Sequence, residues 1–383
     1  MKKNIVIVCY KYPPEYSGYG LQLKSILDKM NLGRLNITIL TVHSSSKSEQ
    51  TNNIRIISLG NDNNQISTYA FSFRAFIWLV KNRNKYSLIH CIKAGPEAIA
   101  SNIISKIFSK KIIVKVAQDE MSDREIGSSK GLIRFNRKLR HKILSNVDYF
   151  VAISEEINKS LKQRISRSSH VLRIPNGVDI EKYKPIGEKQ KKELKLQLNI
   201  EINESPIILF AGAINKRKGV HDLLKAIDLL DEDINCTFIF CGPILEKIDF
   251  MDYVEQYNEN IKLIYAGKVS NLNQFMKISD IFILPSYSEG LPNVLLEAAA
   301  SGLALLSTDI GGNRDIVKDS VNGFLVSTND SKSLKEKVEI LIKRENIRKE
   351  MGNNSRKIAV NKFNLDKIAK TYSDLYYQLT KDV

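Results

Sequence analysis

The densest chemical signal in the sequence is a pair of glutamates, Glu289 and Glu297, within the stretch SYSEGLPNVLLEAAASG. An apolar run ends at Pro285, while Pro292 and Gly302 are typical of the first turn and the end of a helix. Glu289 should therefore lie in the loop before this helix, and Glu297 more than one turn inside it. A helix start binds phosphate, and carboxylates accept hydrogen bonds from sugar hydroxyls. The pattern favours a nucleotide-sugar ligand over two solvated glutamates on a capped surface helix.

A second candidate site is the basic turn in FAGAINKRKG, residues 210–219. Gly212 permits a close turn after a predicted strand, and Lys216, Arg217 and Lys218 precede the next helix. Three cations at the carboxyl end of a strand can neutralise a diphosphate, and arginine can bind it through two nitrogens. Taken alone, such a turn is more often only solvated.

Two features of the first half are weaker. The loop PPEYSGYG, which contains Gly18, opens a helix after the first predicted strand, but it lacks the G-x-G-x-x-G spacing. Residues 130–142 place apolar side chains at helical spacing among lysines and arginines. Such a helix can lie on an anionic membrane, although a core-facing stripe with a solvated basic back fits the pattern equally well.

The elements that must position these residues are short β-branched runs alternating with amphipathic stretches. This alternation predicts an α/β fold with two Rossmann-like parallel-sheet domains facing a central cleft. Pro175 and Gly177 mark the boundary between them. The predicted strands are Asn4–Cys9, Ile37–Val42, Leu88–Cys91, Ile112–Val116, Tyr149–Ile153, Ile207–Phe210, Thr237–Cys241, Ile261–Tyr265, Ile281–Leu284 and Ala304–Thr308. The predicted helices include Gly20–Met30, Pro96–Phe108, Val220–Leu230, Leu272–Ile278, Asn293–Ala300, Leu334–Arg344 and Leu365–Leu379.

Charge is distributed unevenly along the 383 residues. Residues 1–175 hold 29 Lys and Arg against 12 Asp and Glu, a net charge of +17, whereas the whole chain carries +16. This asymmetry indicates an anionic partner for the first half, such as anionic lipid or a phosphate-bearing substrate, unless it is a lysine-rich surface without a specific partner. Nucleic acid is disfavoured because no basic–aromatic stacking motif accompanies the charge.

Composition excludes several other classes. Four cysteines without a C-x-x-C pair indicate reduced, mostly buried thiols of a cytoplasmic protein. No apolar run is long enough to span a bilayer, and no cleavage site follows the first apolar run. Asp231 and Asp233 have metal-ligand spacing but lie away from the predicted strand ends, and no histidines pair at ligand spacing. We therefore expect no metal site.

Residues 284–326 resemble the retaining glycosyltransferases of the GT-B fold, of the family-4 type (glycosyl transferases group 1). The resemblance is carried by Pro285-Ser286, the Glu289 and Glu297 pair, Gly302, TDIGG at 308–312, Asp315 and NGFLV at 322–326. It is strong in the second domain and weak in the first. It implies a first, acceptor-binding domain of residues 1–174 completed by a crossover helix in 365–383. A nucleotide-sugar-binding domain of residues 175–364 lies between them in sequence.

Residue by residue, the resemblance implies that Glu289 holds a hydroxyl of the transferred sugar and Glu297 the ribose. Lys218, with Arg217, should stabilise the departing diphosphate. The other implied donor contacts are Gly18, Gly212, Gly267, Lys268, Val269, Gly290, Leu291, Asn293 and Val294. The family's arginine after the first glycine is here Ala213, and its first-domain histidine is missing, so Gln118 or Asp119 is expected to act in its place.

The expected activity is retaining transfer of a sugar from a UDP- or GDP-sugar to an acceptor hydroxyl, without a metal or cofactor. The charge of the first half favours a lipid-linked or phosphate-bearing glycan acceptor in cell-surface polysaccharide biosynthesis, used by a cytoplasmic protein peripheral to the membrane. Two alternatives stay open: a sugar-nucleotide epimerase of the same architecture and a non-catalytic nucleotide-sugar or glycan-binding protein.

Overall fold

The protein consists of two compact units, each built around one mainly parallel sheet. The first unit comprises Met1–Gly177 and Leu365–Val383, and the second comprises Val178–Asn364. The structure is a computed structural model, and it describes residues 2–15, 17–42, 50–51, 53–60, 67–118, 131–201, 205–246, 250–255 and 260–381. In the described part of the chain, no helix is both long and apolar enough to cross a bilayer.

The first unit has a sheet of eight strands. They are β1 (Lys3–Lys11), β2 (Leu35–Val42), β3 (Gln50–Thr51), β4 (Ile54–Ser58), β5 (Leu88–Cys91), β6 (Lys111–Val116), β7 (Tyr149–Ala152) and β8 (His170–Arg173). Their order is β3-β4-β2-β1-β5-β6-β7-β8, and every pair is parallel except β3 with β4. The helices of this unit are α1 (Gly18–Lys29), α2 (Thr68–Lys81), α3 (Pro96–Ile107), α4 (Gly131–Leu144), α5 (Glu155–Lys162) and, numbered along the whole chain, α14 (Leu365–Leu379).

The second unit has a sheet of six parallel strands. They are β9 (Ile207–Ala211), β10 (Cys236–Cys241), β11 (Ile261–Gly267), β12 (Ile281–Leu284), β13 (Ala304–Thr308) and β14 (Gly323–Val326), in the order β11-β10-β9-β12-β13-β14. Its helices are α6 (Glu188–Gln197), α7 (Val220–Asp228), α8 (Phe250–Glu255), α9 (Leu272–Ile278), α10 (Asn293–Ala300), α11 (Asn313–Ile316), α12 (Ser331–Lys343) and α13 (Glu345–Lys362). A short 3-10 helix, Lys216–Lys218, lies between β9 and α7.

The predicted fold class of two α/β parallel-sheet domains is confirmed. All ten predicted strands form. Most are apolar runs that the sheet buries on both faces, whereas β11, at the edge of its sheet, is mostly half-buried. The strands β3, β4, β8 and β14 are additional to the prediction. The four cysteines are buried free thiols, as expected.

Candidate functional site

The second sheet reverses its strand order between β9 and β12, which pair with each other while the chain continues from them toward opposite edges. In doubly wound sheets, the loops after such a pair diverge and leave a crevice at the carboxyl ends, where ligands bind. The segment after β9 carries Lys218, and the segment after β12 carries Glu289. The two candidate sites from the sequence therefore flank one switch point.

Lys218 and Glu289 form an ion pair, with Lys218 Nζ 2.5 Å from Glu289 Oε1. Their side chains are only 12% and 9% exposed, respectively. Arg217 adds a second cation: its Nη1 lies 3.5 Å from the same carboxylate oxygen and donates to the carbonyl oxygen of Ser288 at 3.1 Å. Two cations and one carboxylate thus meet at the predicted sugar and diphosphate positions.

Backbone contacts hold the two loops against each other. Gly219 has φ of +71°, and a Cβ there would lie 1.8 Å from the carbonyl oxygen of Pro285, so only glycine fits. The N–H of Tyr287 donates to the carbonyl oxygen of Arg217 at 2.9 Å. The Tyr287 hydroxyl donates to Asp222 Oδ2 on α7 at 2.6 Å. These bonds fix Lys218 relative to the loop that carries Glu289.

The predicted helix after this loop forms as α10. It spans Asn293–Ala300 as predicted, and Pro292 is its N-cap residue rather than part of its first turn. Proline cannot cap the helix with its side chain, so the N–H groups of the first turn, including those of Asn293 and Val294, carry the positive end of the helix dipole. Gly290 and Leu291 lead into this start, and a Cβ at Gly312 would lie 1.9 Å from the Gly290 carbonyl oxygen.

Glu297 lies inside α10 and accepts a hydrogen bond from Tyr183. Burial raises the pKa of the Glu297 carboxyl to about 7, and the Tyr183 bond and the Lys182 charge oppose this shift. Arg356 links the segment that carries Tyr183 to the end of α10. Its Nη1 donates to the carbonyl oxygens of Ile180, Tyr183 and Ala300 at 2.8 to 3.0 Å. Sequence reasoning missed Tyr183 and Arg356, since no local spacing links either of them to Glu297.

The remaining predicted donor contacts of the second unit also lie at the carboxyl edge of its sheet. Gly212 follows β9 and lies against the Lys218 side chain. Gly267 ends β11, with φ of +67°, and accepts the N–H of Gly242 at 2.7 Å. Lys268 is exposed and Val269 half-buried just beyond that strand.

The candidates in the first unit lie at the start of α1 and after β6. Gly18 is exposed at the start of α1, where the Ser17 side chain caps the helix by accepting the N–H of Gly20. Gln118 is exposed after β6. Asp119 lies outside the described residues. His90 is buried, and its Nδ1 lies 2.6 Å from the Tyr376 hydroxyl.

The acidic turn at 231–233 is a network of ion pairs. Asp231 pairs with Lys335 at 2.7 Å and with Lys343 at 3.4 Å, and Asp233 pairs with Lys343 at 3.2 Å. Within the described ranges, no cluster of three or more histidine, cysteine, aspartate or glutamate residues could hold a metal ion.

Comparison with known sequences finds a family match within the second unit. Residues 190–358 match the family described as "Glycosyl transferases group 1". The chain is 22% identical over 306 residues to N-acetyl-alpha-D-glucosaminyl L-malate synthase of Bacillus anthracis, covering 79% of this chain and 77% of that enzyme. It is 28% identical to the capsular polysaccharide biosynthesis glycosyltransferase CapM of Staphylococcus aureus, covering 61% and 62%. It is 30% identical to the UDP-Gal:alpha-D-GlcNAc-diphosphoundecaprenol alpha-1,3-galactosyltransferase of Escherichia coli, covering 54% of each.

Solved structures share the fold over the whole chain. Sucrose-phosphate synthase from Thermosynechococcus elongatus superposes with a TM-score of 0.81 at 16% identity, covering 100% of both chains. Anabaena HepE in complex with UDP-glucose superposes with a TM-score of 0.75 at 17% identity, covering 98% of this chain and 99% of that one.

Proposed function

We propose that this chain, which has the GT-B fold and matches the glycosyl transferases group 1 over residues 190–358, is a retaining glycosyltransferase. It moves a sugar from a nucleotide-sugar donor to a hydroxyl group of an acceptor. The observation that carries the proposal is the largely buried ion pair of Lys218 and Glu289, whose Nζ and Oε1 atoms lie 2.5 Å apart at the switch point of the second sheet. The pair supplies a cation for the diphosphate and a carboxylate for a sugar hydroxyl side by side.

In this proposal the second unit binds the donor. The N–H groups around Leu291, Asn293 and Val294 meet the diphosphate, because the start of α10 carries a partial positive charge. Glu289 accepts a hydrogen bond from a hydroxyl of the transferred sugar. Glu297 accepts hydrogen bonds from the ribose. The binding of UDP-glucose by the structurally similar HepE supports a UDP-sugar donor.

We propose that catalysis relies on positively charged groups that are positioned before the reaction begins. As the bond between the sugar and the diphosphate breaks, negative charge grows on the leaving group, and Lys218 with Arg217 stabilises it. These cations and the start of α10 would supply the positive charge that a bound metal ion can otherwise supply to a leaving diphosphate. We therefore propose a metal-independent reaction. A leaving-group oxygen would take the acceptor's proton on the same face of the sugar, which retains the configuration at the anomeric carbon.

The acceptor is proposed to bind the first unit, where Gln118 lies after strand β6. The net charge of +17 on residues 1–175 favours a phosphate-bearing acceptor. The E. coli relative is named for a diphosphoundecaprenol-linked acceptor and the S. aureus relative for capsular polysaccharide biosynthesis. We therefore propose a lipid-linked glycan acceptor and a location at the cytoplasmic face of a membrane.

The test is transfer from UDP- and GDP-sugars to polyprenyl-diphosphate glycans, with the anomeric configuration of the product read by NMR. The Lys218→Ala variant should lower turnover by about 100- to 1000-fold, the typical cost of one group that stabilises transition-state charge. Lys216→Ala is the matched control, because Lys216 lies in the same short helix but is exposed. Equal turnover in the two variants would exclude the proposed role of Lys218. Conversion of the donor without an acceptor would indicate an epimerase, and binding without turnover a non-catalytic protein.

A further inference from the structure

Helix α2 carries a row of exposed apolar side chains. Tyr69, Phe73 and Ile77 recur every four residues and are 74%, 66% and 37% exposed. Residues four apart lie on one side of a helix, so the three form a continuous stripe. The fold does not need them, because α2 already buries Phe71 and Leu79 completely in the first unit.

Helix α3 extends this apolar surface. Ile103 and Ile107 are 42% and 61% exposed and also lie four residues apart. Helices α2 and α3 pack against each other, and α4 also packs against α3. We call the surface of Tyr69, Phe73, Ile77, Ile103 and Ile107 the α2–α3 face. Soluble proteins rarely expose large apolar side chains together in this way, and such a patch marks an interaction site.

The chain segment that carries the α2–α3 face is rich in positive charge. Residues 63–118 contain nine lysines and arginines and a single acidic residue, Glu97. Glu97 is only 2% exposed, so it adds no negative charge to the surface. The exposed cations include Arg74, Lys81 and Arg83. One partly exposed acid, Asp148, pairs with Lys106 of α3. Exposed aromatic side chains in a segment rich in exposed cations fit a surface that is apolar inside and anionic at its boundary.

We propose that the α2–α3 face docks on an anionic lipid bilayer, with its apolar side chains entering the headgroup boundary and the surrounding cations contacting lipid phosphates. Aromatic rings favour this boundary, and each nearby cation adds attraction to anionic lipid. The inference rests on the proposed function in one respect: docking would bring the enzyme to a lipid-linked acceptor.

The test is co-sedimentation of the full chain with vesicles of phosphatidylcholine alone or mixed with phosphatidylglycerol. We expect binding to the mixed vesicles, weakened by salt because the electrostatic part is screened. The double variant Tyr69→Ala with Phe73→Ala should lower the partition coefficient at least tenfold. Leu245→Ala is the matched control: Leu245 is 65% exposed but lies in the second unit, and its loss should leave binding unchanged.

A second variant separates charge from apolar contact. Lys81→Glu with Arg83→Glu should weaken binding mainly at low salt, whereas the aromatic double variant should weaken it at any salt. Thermal unfolding of each variant reports whether the fold is retained, and we expect that it is because the altered side chains are exposed.

Three results would overturn the inference: no binding to anionic vesicles, equal binding of the aromatic double variant, or a light-scattering dimer that this variant converts to monomer, which would make the face an interface between copies. Transfer from a nucleotide sugar to a water-soluble analogue of the acceptor tests the proposed function separately, since that assay needs no membrane.

Discussion

Glu289 and Glu297 lie on either side of the start of α10 in different environments. Glu289 is paired with two cations, whereas Glu297 is desolvated and bonded to Tyr183. Burial therefore raises the pKa of Glu297 from its ordinary value of 4.5 to about 7. Between these two pH values the folded protein keeps a proton that the unfolded chain has lost, so the contribution of Glu297 to stability falls as the pH rises through this window.

The pKa of Glu297 also sets a pH dependence of donor binding. A carboxylate accepts the ribose hydroxyls better than a carboxylic acid does, so affinity should rise as Glu297 loses its proton. With a pKa of about 7, the ionised fraction, and with it the affinity, falls about tenfold from about pH 8 to about pH 6. Calorimetric titration with the donor checks this. Glu297→Gln should bind weakly and lose the pH dependence, and an unchanged slope in that variant would assign the titration to another group.

Arg217 and Lys218 contact the same carboxylate oxygen but differ in burial. The Arg217 side chain is 49% exposed and the Lys218 side chain 12%. Water screens an exposed charge, which contributes about 1 kcal/mol or less. We therefore expect Arg217→Ala to lower turnover about tenfold or less, well short of the loss in Lys218→Ala. Steady-state rates of the two variants with the same donor and acceptor decide this. A larger loss in Arg217→Ala would mean that Arg217 replaces the arginine missing at Ala213.

At the scale of elements, the close approach of Gly219 to the end of β12 should be essential to the site. Gly219→Ala would combine left-handed strain with a Cβ 1.8 Å from the Pro285 carbonyl oxygen. Gly267→Ala is the control, because Gly267 has a similar φ of +67° but a Cβ added there would have no atom within 4 Å. We expect Gly267→Ala to lower the free energy of unfolding by about 1 kcal/mol and Gly219→Ala by about 3 kcal/mol or more. Urea denaturation measures both, and equal losses would show that the loops separate without cost.

The elements predicted from the sequence are those with a strong apolar pattern. Strands such as β9 and β12 are buried along their whole length, and their residues are accordingly apolar. The strand β8 escapes prediction because it lies at the edge of its sheet, where His170 and Arg173 are exposed and interrupt the pattern. Short strands such as β3 carry too few residues for any periodicity.

The candidate site is predictable where its residues are close in sequence. Glu289, Glu297 and the start of α10 share one stretch, so helix and loop signals place them together. The bond from Tyr183 to Glu297 and the hold of Arg356 on Ile180 depend on how distant segments pack. Neither residue has a spacing that distinguishes it from other surface-type residues, so only the folded structure identifies it.

At the scale of the whole molecule, the chain returns to the first unit after completing the second. Helix α14 adds Leu365, Ile368, Tyr372, Tyr376 and Leu379 to the core of the first unit, next to β1 and α1. Tyr376 also supplies the hydrogen-bond partner of buried His90. Without α14, that core would expose a large apolar area and leave His90 Nδ1 unsatisfied, at a cost of about 1 to 3 kcal/mol for the histidine alone.

The first unit should therefore not fold without its C-terminal helix. A fragment of residues 1–177 is expected to aggregate or to unfold without cooperativity, whereas residues 1–177 joined to 365–383 by a short Gly/Ser linker should unfold cooperatively. The join is short because a Cβ at Gly177 would lie 2.9 Å from Leu365 Cα. Circular dichroism during heating compares the two fragments, and a linked fragment with Tyr376→Phe should show a lower Tm because it lacks the bond to His90. Cooperative unfolding of residues 1–177 alone would mean that α14 only covers a core that is already complete.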